Sequence, residues 1–361
     1  MFAALAAHGH TYPSIPLALA ARNAGHDVVF VAGQQFLPTL RRAGLAAEPA
    51  GMSMAEAFAG VAPSAEQVGR VIGAVLPRRM AADLAPLLAE HRPDAVVHDV
   101  GTLGAPIAAA VAGIPALGHT FGRIFANTLS ESIVSSFDAL AAEFELDPAA
   151  LTASPVLDIC PESVQSQHFL DQADRVPLRP VAWSECGALV ERTPGRPLVY
   201  LTLGTVFATA AVLRQAVDGL AALPVDVLVA AGPALDPAAL GDVPDHVRVA
   251  AWVPQAAVLP HVDLVVHHGG SGTMLGAFAA GRPQLLLPHG ADQFTNAEAV
   301  VAAGAGARLL PADLSPDAVA VTARALLADD AVRDAARRLA GEIAAMPPPE
   351  DVAARLPALI G

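Results

Sequence analysis

Two stretches of the chain repeat one plan of apolar and polar positions. They are "FAALAAHGHTYPSIPLALAARNAGHDVVFVAG" (2–33) and "LVYLTLGTVFATAAVLRQAVDGLAALPVDVLVAAG" (198–232). Each reads as strand, loop, amphipathic helix, strand, the opening βαβ unit of a doubly wound domain. In the first, Pro13 and Pro16 are expected in the opening turn of the helix, and Gly25 just past its end. Short apolar runs continue the alternation: "DAVVHD" (94–99), "IPALGH" (114–119) and "VLDI" (156–159), then "VRVAAW" (247–252), "DLVVHH" (263–268) and "QLLLP" (284–288). Runs without polar alternation suit parallel strands covered on both faces.

Between the two series lies "RVPLRPVAWSECGALVERTPGRP", with four prolines and poor periodicity. The expected organisation is therefore an N-terminal Rossmann-like domain over 1–180, a linker over 181–197, and a C-terminal Rossmann-like domain over 198–345. In the tail, "MPPPEDVAARLPALI" is a proline stop followed by a short helix with acidic residues at its start. This last segment, 346–361, is expected to pack back on the N-terminal domain. The fold class is α/β: two doubly wound domains facing across a cleft.

Composition narrows the function. The 361 residues are 54% hydrophobic but only 4% aromatic, enough for large cores of small side chains. A formal net charge of −14 argues against nucleic acid and anionic membranes as partners, so an anionic ligand would need a local positive site. Two cysteines, Cys160 and Cys186, make no disulfide framework and suit a cytoplasmic protein. The most apolar stretch, 103–117, is too short to span a bilayer and carries Pro106 and Pro115. No secretory leader is read at the start. The oligomeric state is left open, a homodimer being one reading.

A local positive site is available in "HHGGSGTMLGAF" (267–278). Gly269, Gly270 and Gly272 allow a tight turn and close ligand approach. A helix starting behind them presents free N–H groups and the positive end of its dipole, which suits a phosphate.

"WVPQAAVLPHVDLVVHHGGSGT" (252–273), followed by "PHGADQFTNA" (288–297), resembles the donor-binding signature of nucleotide-sugar-dependent glycosyltransferases of the two-Rossmann-domain GT-B type. "HGHTYPSIPLALAARNAGHDVVF" (8–30) resembles their acceptor-side opening. The overall pattern is most similar to bacterial enzymes that glycosylate enediynes, macrolides and aromatic polyketides. It is weakest over 50–90 and 120–180, where such enzymes vary with their acceptors.

The resemblance assigns roles to individual residues. Trp252 would stack on the nucleobase, with Val253 backbone groups and the Gln255 amide at the base edge. Alone, Trp252 reads as a core residue, and Gln255 with the loop at 267–273 tips it toward the nucleobase; Gln255 alone reads equally as a solvated turn residue. His268 would bind the diphosphate with the N–H groups of Ser271, Gly272 and Thr273, Gly270 giving the close approach. Gly204 and Thr205, at the tip of "LTLGT", would face the same diphosphate. Asp292 and Gln293 would hold donor-sugar hydroxyls, with a helix-cap role for Asp292 as the competing reading. His10, in the Gly-His-x-x-Pro place, matches the base that deprotonates the acceptor hydroxyl as it attacks with inversion. Asp99 matches its acidic partner, and a helix-capping role is equally open. His119 is read as a structural histidine near the acceptor.

No Asp-x-Asp pair occurs, so the resemblance implies a metal-independent transfer with no cofactor. The implied partners are a dTDP-sugar donor and an apolar aglycone. The nucleotide assignment rests on Gly276. UDP-sugar-using plant relatives carry a ribose-binding glutamate eight residues after the phosphate-binding histidine, and that place here is Gly276, with close helix–strand packing as its plain alternative. Three rivals stand against the transferase. The spacing of Gly270, Gly272 and Gly276 approximates a dinucleotide fingerprint, but no acid follows at the end of the next strand. A sugar-nucleotide epimerase would need acid/base groups around the sugar. A non-catalytic auxiliary would have no use for His10, His268, Asp292 and Gln293 together.

Overall fold

The computed structural model describes all residues except 61–63, 125–130, 153–154, 185–191, 206–208, 234 and 361. Cys186 and part of the expected linker lie outside the described residues; Cys160 is buried. The chain forms two compact units. One comprises Met1–Arg179 with Pro347–Gly361, the other Pro180–Met346.

Among the described residues, the first unit has a seven-stranded sheet. Its strands are β1 (Phe2–Ala3), β2 (Val29–Ala32), β3 (Ala46–Pro49), β4 (Val96–Asp99), β5 (Ala116–His119), β6 (Val156–Asp158) and β7 (Arg175–Pro177). All pairings are parallel, in the order β3-β2-β1-β4-β5-β6-β7. Helices α1 (His8–Asn23), α2 (Leu76–His91) and α3 (Gly104–Val111) pack on it. Leu84, Val96, Ile107 and Leu140 lie in the centre of its core.

Among its described residues, the second unit has six parallel strands: β8 (Leu198–Thr202), β9 (Asp226–Ala230), β10 (Val247–Ala250), β11 (Leu264–His267), β12 (Gln284–Leu286) and β13 (Gly306–Arg308). Their order is β10-β9-β8-β11-β12-β13. The helices used below are α4 (Ala210–Ala221), α5 (Gln255–Val258), α6 (Ser271–Ala279), α7 (Gln293–Ala302) and α8 (Pro316–Ala328). Both sheet faces are covered. Val199, Leu201, Val227 and Val266 face Leu213, Val217 and Leu220 of α4, whereas Leu198, Tyr200 and Val265 face Val258, Leu259 and Ala277. That double burial is why these strands show no polar alternation. A final helix, α9 (Pro349–Leu359), opens with Glu350 and Asp351 and returns to the first unit, where it packs along α1.

The prolines of α1 depart from the expected opening turn. The helix begins at His8, so Pro13 and Pro16 stand inside it. The amides of His10 and Thr11 already bond to the Ala7 carbonyl at 3.1 and 2.9 Å, winding the His-Gly-His segment into the first turn. Burial of Ile15, Leu17 and Ala18 outweighs the backbone bonds that the two prolines omit.

In both sheets the order of strand addition reverses beside the first strand, between β1 and β4 and between β8 and β11. In open parallel sheets ligands bind beyond the carboxyl ends of the strands at such a reversal. His10 and Asp99 stand there in the first unit, and Gly204 and His268 in the second.

Candidate active site

In the first unit, α1 starts directly after β1 and places His10 in its first turn. Asp99 ends β4, the neighbouring strand. The two side chains meet with His10 Nδ1 2.9 Å from Asp99 Oδ2. Asp99 is buried, and the Thr102 hydroxyl donates to the same Oδ2 at 3.0 Å. Burial opposes the carboxylate charge. The imidazole of His10, the Gly101 backbone and Thr102 overcome it and hold the carboxyl below its ordinary range. Asp99 therefore stays ionised, accepts the Nδ1 proton and leaves the Nε2 lone pair as the basic atom of His10. It does not cap the next helix, since α3 has no side-chain cap.

Sequence reasoning missed Gly101. A Cβ there would lie 2.7 Å from His10 Cε1 and 2.8 Å from Nδ1, so only glycine leaves room for the pair. Phe121 packs on the other side, its ring centroid 4.4 Å from that of His10. His119 is buried, with Nδ1 2.7 Å from the Thr120 carbonyl; burial pushes its pKa down to about 4, and the ring serves structure.

In the second unit, the turn after β11 leads into α6 with Gly270 as its N-cap. No side chain caps this helix, so the amides of Ser271, Gly272 and Thr273 are left for a ligand. The α-carbon of Gly272 faces open space. His268 sits in a slot between two glycines. A Cβ on Gly204, whose φ is +79°, would come 2.5 Å from His268 Nε2, and one on Gly270 would also collide with that ring. Burial, aided by His289, pushes His268 down to about 4, so the ring is neutral and carries one N–H donor. Thr205 follows Gly204 at the end of β8.

His267 plays a different part. It is fully buried, Gly269 N–H donates to its Nδ1 at 3.1 Å, and its Nε2 lies 2.8 Å from Gln284 Oε1. This fixes the Nε2–H tautomer and anchors the glycine turn to β12.

The loops around this turn are tied to it. The Gln255 amide donates to Thr273 Oγ1 at 3.1 Å and reaches the hydroxyl of buried Tyr200 at 3.4 Å. Gln255 thus links the loop after β10 to the first turn of α6. Trp252 is 47% exposed, which removes the core reading. Val253 is buried beside Leu198 and Tyr200, so only its backbone can meet a ligand.

Asp292 precedes α7 without capping it. Its Oδ2 accepts from Ser271 Oγ and from Asn296 Nδ2, both at 2.9 Å. Gln293 Oε1 accepts from the amides of His289 and Gly290 at 2.8 and 3.2 Å, so its Nε2 is the end it can offer a ligand. Asn296, unnoticed in the sequence, is fully buried and also donates to the Gly269 carbonyl at 2.9 Å, joining the glycine turn to Asp292. Its signal was the one-turn spacing from Asp292. Gly276 faces Leu259, whose Cδ1 would stand 2.7 Å from a Cβ at that position.

Residues 214–359 match the family model described as the erythromycin biosynthesis protein CIII-like C-terminal domain. The L-demethylnoviosyl transferase of Streptomyces niveus is 35% identical over 370 residues, covering 97% of this chain and 95% of that protein. Among solved structures, the calicheamicin glycosyltransferase CalG4 aligns at a TM-score of 0.85 with 26% identity, covering 100% of this chain and 98% of that one. The glycosyltransferase SsfS6 of Streptomyces sp. SF2575, complexed with thymidine diphosphate, aligns at 0.81 with 27% identity over 99% and 98% of the two chains. With two parallel α/β sheets of the GT-B kind, the chain belongs to the bacterial natural-product glycosyltransferases and is an enzyme of that family.

Proposed function

We propose that the enzyme transfers a deoxysugar from a dTDP-sugar to a hydroxyl of an apolar natural-product aglycone, with inversion and without a metal. The observation that carries this reading is the His10–Asp99 pair at 2.9 Å, with Asp99 buried and ionised behind the imidazole. His10 Nε2 takes the acceptor proton as the acceptor oxygen bonds to the anomeric carbon. The bond from that carbon to the phosphate oxygen breaks, and dTDP leaves. The amides at the start of α6 and the N–H of His268 receive the charge that builds on the leaving diphosphate. Asp292 and the Gln293 amide orient the sugar.

Two observations support a thymidine nucleotide. Relatives SsfS6 and VinC are known with thymidine diphosphate and dTDP, respectively. At Gly276 no carboxylate is available for a ribose 2′-hydroxyl, and a UDP hydroxyl buried there without a partner would cost about 1–3 kcal/mol. The apolar aglycone follows from the Ala-, Leu-, Val- and Phe-rich segments 50–90 and 120–180. A relative 36% identical over 98% of this chain is named the elloramycin glycosyltransferase.

The test pairs two measurements. Competition binding should rank dTDP above UDP, and tighter UDP binding would overturn the donor assignment. Turnover of a dTDP-deoxysugar with an aglycone panel should release dTDP in step with β-to-α or α-to-β inversion and persist in EDTA. Retention of configuration or strict metal dependence would overturn the mechanism.

A further inference from the structure

Phe121 touches the base and is held there by a buried polar hub that has no part in the chemistry described so far. Its ring centroid lies 4.4 Å from that of His10, with the planes inclined by 50°. The imidazole is thus bounded on three sides: Asp99 at Nδ1, Gly101 at the Cε1 edge and Phe121 against the ring. The ring of Phe121 is itself only partly buried.

The segment carrying Phe121 follows β5, and each side of it is fastened. Thr120 Oγ1 donates to Asp158 Oδ1 at 2.9 Å. Asp158 is fully buried and also pairs with Arg175, whose Nε lies 2.7 Å from Oδ2. Gln165 Nε2 donates to Asp158 as well, at 3.1 Å, while its Oε1 accepts from the Ile124 amide at 2.9 Å. Asp158 therefore holds the chain both before and after Phe121. Moving this segment would leave the buried Asp158 carboxylate short of its donors, which opposes displacement of Phe121.

We propose that Phe121 is a positioning residue for His10. Its ring fixes the imidazole in the orientation that presents Nε2 to the acceptor hydroxyl, and the Asp158 hub fixes the ring. The proposal rests on His10 being the base. A base displaced by about 1 Å loses up to about 10²-fold in rate, so the effect falls on kcat rather than on binding.

The test is a steady-state comparison using full-length enzyme, a dTDP-sugar donor and one accepted aglycone. Phe121→Leu keeps an apolar side chain but loses the flat face, and should lower kcat roughly tenfold while the acceptor KM stays within about twofold. Phe121→Tyr should restore most of kcat. Thr120→Val, which cuts the tie to Asp158, should reproduce part of the kcat loss. In a His10→Gln background, Phe121→Leu should cost nothing further. If Phe121→Leu raises the acceptor KM and spares kcat, the ring is a wall of the acceptor site and the proposal fails. If its loss adds in full to that of His10→Gln, the ring does not act through His10 and the proposal fails. Wild-type turnover by His10→Gln would instead remove the base reading itself, and this inference with it.

Discussion

His10 Nδ1 and Asp99 Oδ2 lie 2.9 Å apart although 89 positions separate them in the chain. The contact depends on adjacent parallel strands, because β1 delivers the start of α1 and β4 ends at the carboxylate. His10→Ala should leave dTDP binding intact and lower turnover by about 10²–10⁴. Asp99→Asn keeps the shape and loses the charge, so its turnover should fall between that variant and the wild type. Steady-state rates with calorimetry of dTDP binding check both, and unaltered turnover in Asp99→Asn would make that residue structural.

Gly101→Ala places a methyl group 2.7 Å from His10 Cε1 and 3.1 Å from Asp99 Oδ2. The imidazole must rotate away from its partner. Turnover should fall at least tenfold with little change in donor KM, a split that a general loss of folding would not produce.

Gly204→Ala should act on the donor side. The residue has φ +79°, and its added methyl would meet His268 Nε2 at 2.5 Å. Both the backbone and the slot are disturbed. Binding of dTDP should weaken while thymidine binding changes little, and His268→Ala should show the same bias. Equal losses for both ligands, measured by calorimetry, would place the effect in folding.

Asn296→Leu removes the donor shared by Gly269 and Asp292 and leaves their oxygens short of a partner. The second unit should lose about 1–3 kcal/mol of stability. The sugar-dependent part of donor affinity, read as the difference between dTDP-sugar and dTDP, should fall as well.

Acid should destabilise the fold below about pH 6.5. His119 and His267 are fully buried, and their pKa values are pushed down to about 4 and about 3. Above the unfolded value near 6.5 both states are neutral and the stability is complete. As the pH falls toward 4, the unfolded chain takes up protons that the folded chain refuses. Each histidine then costs at most about 1.4 kcal/mol per pH unit. Urea midpoints measured between pH 7.5 and 4 should decline, and His267→Gln should make the decline shallower.

Interior strands were legible because both faces are covered, so their sequences read as unbroken apolar runs. Among the edge strands β10 was legible, but β3, β7 and β13, with sequences "AAEP", "RVP" and "GAR", were not. They are short and partly exposed, and carry charge or proline as edge strands do. The glycine turn before α6 was legible because a glycine cluster between an apolar run and a helix is a local pattern. Gly101 and Asn296 were not, since what each does depends on a neighbour brought close by folding: His10 for the first, Gly269 for the second.

The last helix gives the chain an unusual order of completion. The second unit occupies Pro180–Met346, and α9 comes after it yet belongs to the first unit. The two crossing points are joined, with the Arg179 amide bonded to the Pro347 carbonyl at 2.8 Å. Topologically, the second unit is an insertion into the first. On the ribosome the usual N-to-C sequence of domain folding is therefore reversed at its end: the second unit has all its residues while α1 still waits for the helix that covers it.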